Sequence, residues 1–252
     1  MKLSSAHLIG LALAHRGEYH KIARALKQRR YVEPAHHEAA ITIFDRHYPN
    51  SLRLLTQPPF VLFYQGNINL LSSRRCVAII GSRKPSAYGI AMTRKLVDAL
   101  PNDVVIVSGL AKGIDGIAHQ HALHTHGCVG VLGCGIERVY PRAHHFLFEA
   151  MAKQQLLLSE YPDHVPGYKH HFVARNRIIA ALSNPIYVMA AQAKSGTLIT
   201  VDYGLALQKD IVVLPYNIDD ASGVGCNNLI ASGALMLTNA EDLFIIENGN
   251  GL

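Results

Sequence analysis

From residue 76 onward, short apolar runs alternate with stretches of helical periodicity. The runs are CVAIIG (76–81), DVVIVSG (103–109), CVGVLG (128–133), QLLLSE (155–160), PIYVMAA (185–191) and DIVVLP (210–215), with LMLT (235–238) a weaker seventh. Runs that are apolar at consecutive positions predict strands covered on both faces. Between them, residues 87–100, 113–125, 142–154, 172–183 and 197–208 carry helix-like spacing. Strands alternating with helices predict an α/β fold built on a doubly wound, mostly parallel sheet.

The chain before residue 76 has a different rhythm. Residues 4–47 predict a short N-terminal helical region, with Leu8, Leu11 and Leu13 followed, past Gly17, by Ile22, Ala23 and Leu26. Pro58-Pro59 then introduce FVLFYQG, a short strand ending at Gly66, and residues 70–75 lead into the main domain. The expected division is therefore residues 1–47 as helical lead-in, 48–244 as the α/β domain and 245–252 as a tail.

Composition narrows the classes. The chain has 252 residues, 49% hydrophobic and 17% charged, against about 25% charged in an ordinary soluble domain. That excludes disorder, collagen and coiled coil. The formal net charge is +6, which invites a nucleic-acid reading. The charge is unevenly placed: residues 1–75 hold 11 Lys/Arg and 4 Asp/Glu, a net of +7, and the remainder is at −1. Bulk charge thus says little about the sheet domain. Cys76, Cys128, Cys134 and Cys226 form no CxxC pair, and buried structural roles in a reducing cytoplasm are expected. The apolar stretch at 8–14 reads as an amphipathic helix rather than a signal peptide. No run approaches the ~18 residues of a membrane span.

Ligands of doubly wound sheets sit beyond the C-terminal strand ends, so those ends carry the candidate chemistry. After the first run come Gly81, Ser82, Arg83, Lys84 and Ser86. Hydroxyls, free N–H groups and a planar guanidinium suit a phosphate. The segment is not GxGxxG, and Asp98 and Asp103 are poorly placed for a ribose, which disfavours a nicotinamide cofactor. After the second run, Lys112 points a charge into a glycine-bearing turn. Asp115 and His119, spaced i,i+4, are expected to pair, either structurally or as an acid–base couple with no nucleophile beside them.

The later strand ends repeat the theme. Tyr140 is a stacking surface or core packing, and Glu160 is expected to hold a neighbouring arginine. Residues 169–183 open with Lys169, His170, His171, Phe172, Arg175, Asn176 and Arg177, a cationic and aromatic mixture suited to phosphates and stacked bases. Arg175 and Arg177, two apart, diverge on a helix, so one is expected to face ligand and the other a carboxylate. Lys194, Ser195, Gly196 and Thr197 form a further anion-ready helix start without the spacing of an ATP-binding phosphate loop. No cofactor, metal site or catalytic residue is expected.

The motifs GSRxxSxYG, SGxAxGIDxxAH, GxGxxxxYP, SEYP, RNRIIAxLS, SGTLIT and GxNxLIxxGA occur in this order. Together they resemble the DprA/Smf family of DNA-processing proteins, from about Tyr48 to Phe244. The resemblance implies an extended Rossmann-like fold that binds single-stranded DNA without doing chemistry on it. It also implies a homodimer that protects incoming strands during natural transformation and helps load RecA, including on strands covered by single-strand-binding protein. It places DNA contacts on Gly81, Ser82 and Arg83, on Arg175, Asn176 and Arg177, and on Ser195, Gly196 and Thr197. Lys84, Lys112, Lys169, Phe172 and Lys194 join them as neighbouring cations and a stacking ring, with Asp115, His119 and Glu160 as orienting groups.

The sequence departs from the family pattern at Val173 after Phe172, at Tyr216 after Pro215 and at Cys226. The end at Leu252 suggests a short form lacking the C-terminal winged-helix-like domain. Two rival readings exist. One is an enzyme resembling LOG-type phosphoribohydrolases, whose PGGxGTxxE glutamate has no equivalent in SGTLITVD, Asp202 being the nearest acid. The other is a small-nucleotide sensor.

Overall fold

A computed structural model describes residues 3–73, 75–163 and 165–239; the expected tail at 245–252 lies outside them. The described strands are β1 (Ala40–Thr42), β2 (Val61–Gly66), β3 (Cys76–Gly81), β4 (Val105–Ser108), β5 (Gly127–Leu132), β6 (Leu156–Ser159), β7 (Ile186–Ala190), β8 (Ile211–Val213) and β9 (Leu235–Met236). They form a single sheet in the order β1-β2-β6-β5-β4-β3-β7-β8-β9. From β6 through β9 every pairing is parallel, whereas β2 runs antiparallel to both β6 and β1. The sheet is thus mostly parallel and doubly wound, as the apolar runs predict.

The strand cores explain why these segments pair. Val77, Ala78, Ile79 and Ile80 of β3 are all buried, as are all five residues of β7. Side chains on both faces therefore need cover. On one run of elements α4 (Ala87–Ala99) packs on α5 (Ile114–Ala122), and α5 on α6 (His145–Gln154); elsewhere α7 (Lys169–Leu182) packs on α8 (Gly196–Ala206). Ser86 caps α4 by accepting the Gly89 N–H at 3.3 Å, a standard way to satisfy one free amide of a helix start.

The N-terminal segment differs from the helical expectation. It contains α1 (Ser5–Ala14) and α2 (Tyr19–Lys27), but residues 40–42 form β1 and pair with β2. Ala40-Ile41-Thr42 is too short to show a period, and its β-branched pair finds its place only because β2 offers an edge. A short helix, α3 (Asn50–Arg53), precedes β2. The remaining helix, α9 (Val224–Ala231), lies against β7 and β8.

The chain runs outward from β3 through β4 and β5 to β6, then returns through α7 to place β7 on the other side of β3. The direction of winding reverses between β3 and β7, the position where open α/β sheets form a ligand crevice. A register shift between Ile80 and Gly81 pairs Gly81 with Ala190 at that mouth. Such a bulge re-aims the residues that follow a strand.

Candidate functional site

Three loops meet at the reversal point and are fastened to one another through backbone. The Ser82 N–H donates to the Ala190 carbonyl at 2.8 Å, and the Ser82 carbonyl accepts the Ile114 N–H at 3.2 Å. The loops after β3, β4 and β7 therefore hold one another in place. Asp115 adds a buried carboxylate that accepts the Gly109 N–H at 3.1 Å and also lies against the amides of Gly81 and Ala111. Burial pushes the Asp115 carboxyl up, against the opposing pull of Arg175 and these amides.

Arg175 and Arg177 both prove to be interior groups, 5% and 4% exposed. Nη1 of Arg175 donates to the Val131 carbonyl at 2.6 Å, and its guanidinium lies directly on Gly109, where a Cβ would collide with it. Burial lowers the Arg175 pKa, Asp115 opposes that, and the nearby Arg83 charge adds to the lowering. Arg177 makes two bonds of 2.6 Å to the Glu160 carboxylate and a third, from Nε, of 3.0 Å to the Gln57 carbonyl. Of the two arginines expected to diverge, Arg177 is the one that faces a carboxylate, and both lie beneath the surface rather than on it. Arg177 is engaged by Glu160, Gln57 and Ala174, whereas Arg175 is held by the Val131 carbonyl and keeps a buried Nε without a partner. Glu160 does hold an arginine, namely Arg177.

The expected Asp115–His119 pair is also absent. The two residues share a helix face, but Asp115 is turned to Gly109 and Arg175. The His119 ring is fully buried, with its nearest polar neighbours the backbone groups of Ile106 and Val129 and no well-aligned hydrogen bond to either. Burial holds this imidazole neutral, its pKa lowered to about 4. The two side chains are therefore not hydrogen-bonded to each other in this structure.

The surface above these buried groups is cationic and aromatic. Arg83, Lys84, Lys112, Lys169 and Lys194 are all exposed. The Arg83 guanidinium carbon lies 5.9 Å from the centre of the Phe172 ring, within cation–π range. Phe172 in turn meets Tyr140 at 5.0 Å, and Tyr140 is 42% exposed. Tyr140, left open between stacking and packing by the sequence, thus extends an Arg83–Phe172–Tyr140 array.

Helix starts surround the array. The first turns of α4, α7 and α8 contain no acidic residue, and α7 and α8 also lack a side-chain cap, so positive dipole ends, and at α7 and α8 free N–H groups, face this edge. Asn176 donates to the Gly196 carbonyl at 3.4 Å, tying α7 to the start of α8. Ser195 stands at the N-cap of α8 in extended conformation, yet its hydroxyl makes no capping bond and has no other partner. Gly196 faces open space, and Thr197 follows half-buried. Chemically, this edge can seat phosphates on amides, hydroxyls and cations, and can stack a flat ring on an aromatic face.

Other features lie apart from this edge. A groove of about 420 Å³ opens between β2 and α6, lined by residues that include Tyr64, Gly66 and Phe148. Asp202 is exposed on α8. Cys128, Cys134 and Cys226 are buried and Cys76 half-buried, all as free thiols. Burial pushes the Cys128 and Cys226 thiols up to about 12, consistent with inert packing. Among the described residues, no helix is long and apolar enough to cross a membrane.

Comparison with known proteins fits this geometry. Residues 39–247 match the model of the family described as DNA recombination-mediator protein A. The DNA processing protein DprA of Streptococcus pneumoniae is 40% identical over 205 residues, covering 81% of this chain and 72% of that protein. The X-ray structure of DprA from the same species superposes with a TM-score of 0.79 at 30% identity, over 96% of this chain and 93% of that one. The structure of DNA processing protein A from Helicobacter pylori, described for its single-stranded DNA binding mode, gives a TM-score of 0.75 at 32% identity over 82% of this chain and 94% of that one. Sequence, fold and length of match agree, and the chain belongs to the family of DNA recombination-mediator protein A.

Proposed function

We propose that this chain binds single-stranded DNA along the C-terminal edge of its sheet, without cleaving or modifying it. The observation that carries this reading is the Arg83–Phe172–Tyr140 array, exposed at Arg83 and Tyr140 and half-buried at Phe172, set among acid-free helix starts. Phosphates are held by Ser82, Arg83, Lys84, Lys112, Lys169 and Lys194, with Ser195, Gly196 and Thr197 supplying the α8 start. Gly81 and Asn176 shape the floor, and bases stack on Phe172. This combination of cationic groove and aromatic platform is tolerant of sequence. The H. pylori relative's described binding of single-stranded DNA supports it.

The placement of two buried carboxylates supports a non-catalytic reading. Glu160 is paired with Arg177, and Asp115 is buried beside the Arg175 charge and the Gly109 amide. Family membership supports a wider role. In this reading a homodimer in the cytoplasm protects strands taken up in transformation and hands them to a RecA recombinase, also from single-strand-binding protein.

The test is an anisotropy titration of labelled oligo-dT and of a duplex of equal length, at two salt concentrations. Tighter binding of the single strand, weakening as salt rises, supports the proposal. Equal or tighter duplex binding overturns it, as does release of free base from a nucleoside monophosphate.

A further inference from the structure

Glu18, His170 and His171 come together although more than 150 residues separate the glutamate from the histidines. Glu18 Oε1 lies 3.0 Å from His171 Nε2 and 3.4 Å from His170 Nε2, and the three donor atoms all fall within 4.8 Å of one another. We propose that these three side chains bind a divalent transition-metal ion, zinc by ligand type. This inference is independent of the DNA-binding reading.

The two carboxylate–imidazole separations are close to those of a coordination shell. With zinc–ligand bonds of ~2.0–2.1 Å, neighbouring corners of a tetrahedron lie about 3.3 Å apart. Two imidazoles and one carboxylate form a borderline nitrogen–oxygen set that suits zinc and disfavours magnesium or calcium, which take oxygen ligands. Three protein ligands leave a fourth corner for water. The exposed His170 side chain, at 65%, puts that corner within reach of solvent.

The ligands are held in place by their surroundings. The His171 ring is fully buried and stacks on Tyr161 with centres 3.8 Å apart and planes 18° apart. Tyr168 meets the same ring edge-on at 5.1 Å and lies parallel to His170. Glu18 is presented by Gly17, whose φ of +75° is open to glycine and whose Cα sits on the Glu160 carbonyl with no room for a Cβ. Glu160 is itself fixed by Arg177. The His171 ring and the turn carrying Glu18 are thus set by packing before any ion arrives, with His170 the exposed third ligand. The ion would join the turn between α1 and α2 to the first turn of α7, next to Lys169 and Phe172.

The experiment uses the full chain, stripped with a chelator and titrated with zinc against a chromophoric chelator. A parallel titration uses cobalt and reads the visible bands of a tetrahedral centre. The expected result is one saturable zinc per chain, tetrahedral cobalt bands, a zinc-dependent rise in melting temperature and no response to magnesium. His170→Ala, an exposed change that leaves the core intact, and Glu18→Gln should each weaken zinc by about tenfold or more and abolish the melting shift. Absence of saturable binding, or unchanged affinity in both variants, overturns the proposal and leaves the cluster as a carboxylate hydrogen-bonded to two histidines.

Discussion

Arg177 closes on Glu160 through two bonds of 2.6 Å with both side chains almost wholly buried. The pair also anchors Gln57 through Nε of the same arginine, so it ties the approach to β2 to the middle of α7. Removing one partner leaves the other as an uncompensated interior charge, which costs about 3–5 kcal/mol. Arg177→Met and Glu160→Leu should each lower unfolding free energy by that order in urea titrations. A loss under 1 kcal/mol would mean that the site relaxes or admits water.

Arg83 and Phe172 should separate into two kinds of effect. Arg83→Ala should weaken oligo-dT binding and reduce the slope of log affinity against log salt by about 0.7, the value for one phosphate on a single strand. Phe172→Leu keeps an apolar side chain over the floor but removes the flat face. It should cost about 1–3 kcal/mol of binding with the salt slope unchanged. Identical slopes for both variants would argue against Arg83 as a phosphate contact.

Gly109 tests the seat of Arg175. A methyl group there meets the guanidinium, and Arg175 cannot retreat without giving up Val131. Gly109→Ala should destabilise the fold by about 1–3 kcal/mol, the usual cost of overpacking. Thermal melts of the variant with and without oligo-dT would show whether the loop also shifts at the surface.

His119 gives the acid limb of stability a definite shape. Its pKa falls from 6.5 in the unfolded chain to about 4 in the fold. Between those values the unfolded state binds the extra proton, so stability falls as pH drops from 6.5 towards 4, by roughly 3 kcal/mol in all. Asp115 acts the other way: its raised pKa adds stability as pH falls through the acid range. The contribution of His119 is therefore read by difference. His119→Gln should flatten the fall between pH 6.5 and 4, and a parallel curve for the variant would exclude a buried neutral imidazole.

Much of the fold is legible because its signals are local. CVAIIG forms β3 at the positions its apolar run marks, and the helical spacing after Lys169 is α7. The grouping of Ser82, Lys112 and Ser195 at one edge also follows from strand direction alone. What escapes is whatever depends on the third dimension. That one of Arg175 and Arg177 meets a carboxylate is legible, but not which one, nor that the other turns inward to the Val131 carbonyl. The i,i+4 spacing of Asp115 and His119 fixes a face but not a partner: Asp115 turns to Gly109, and His119 lies beside Ile106 and Val129. Glu18 and His171 carry no common motif, since only the packing of Gly17 on Glu160 brings them together.

The strand at Ala40–Thr42 carries a practical consequence for anyone dividing this chain. Leu8 and Leu11 of α1 are fully buried, and α1 lies across β1 and β2. A fragment starting at residue 48 would lose both the neighbour of β2 and the lid over it. Val61, Leu62 and Phe63, all at most 3% exposed in the whole chain, would then border an open sheet edge next to bare apolar surface, the combination that templates aggregation. Shortened forms should keep the residues from Ser4 onward if they are to stay monodisperse.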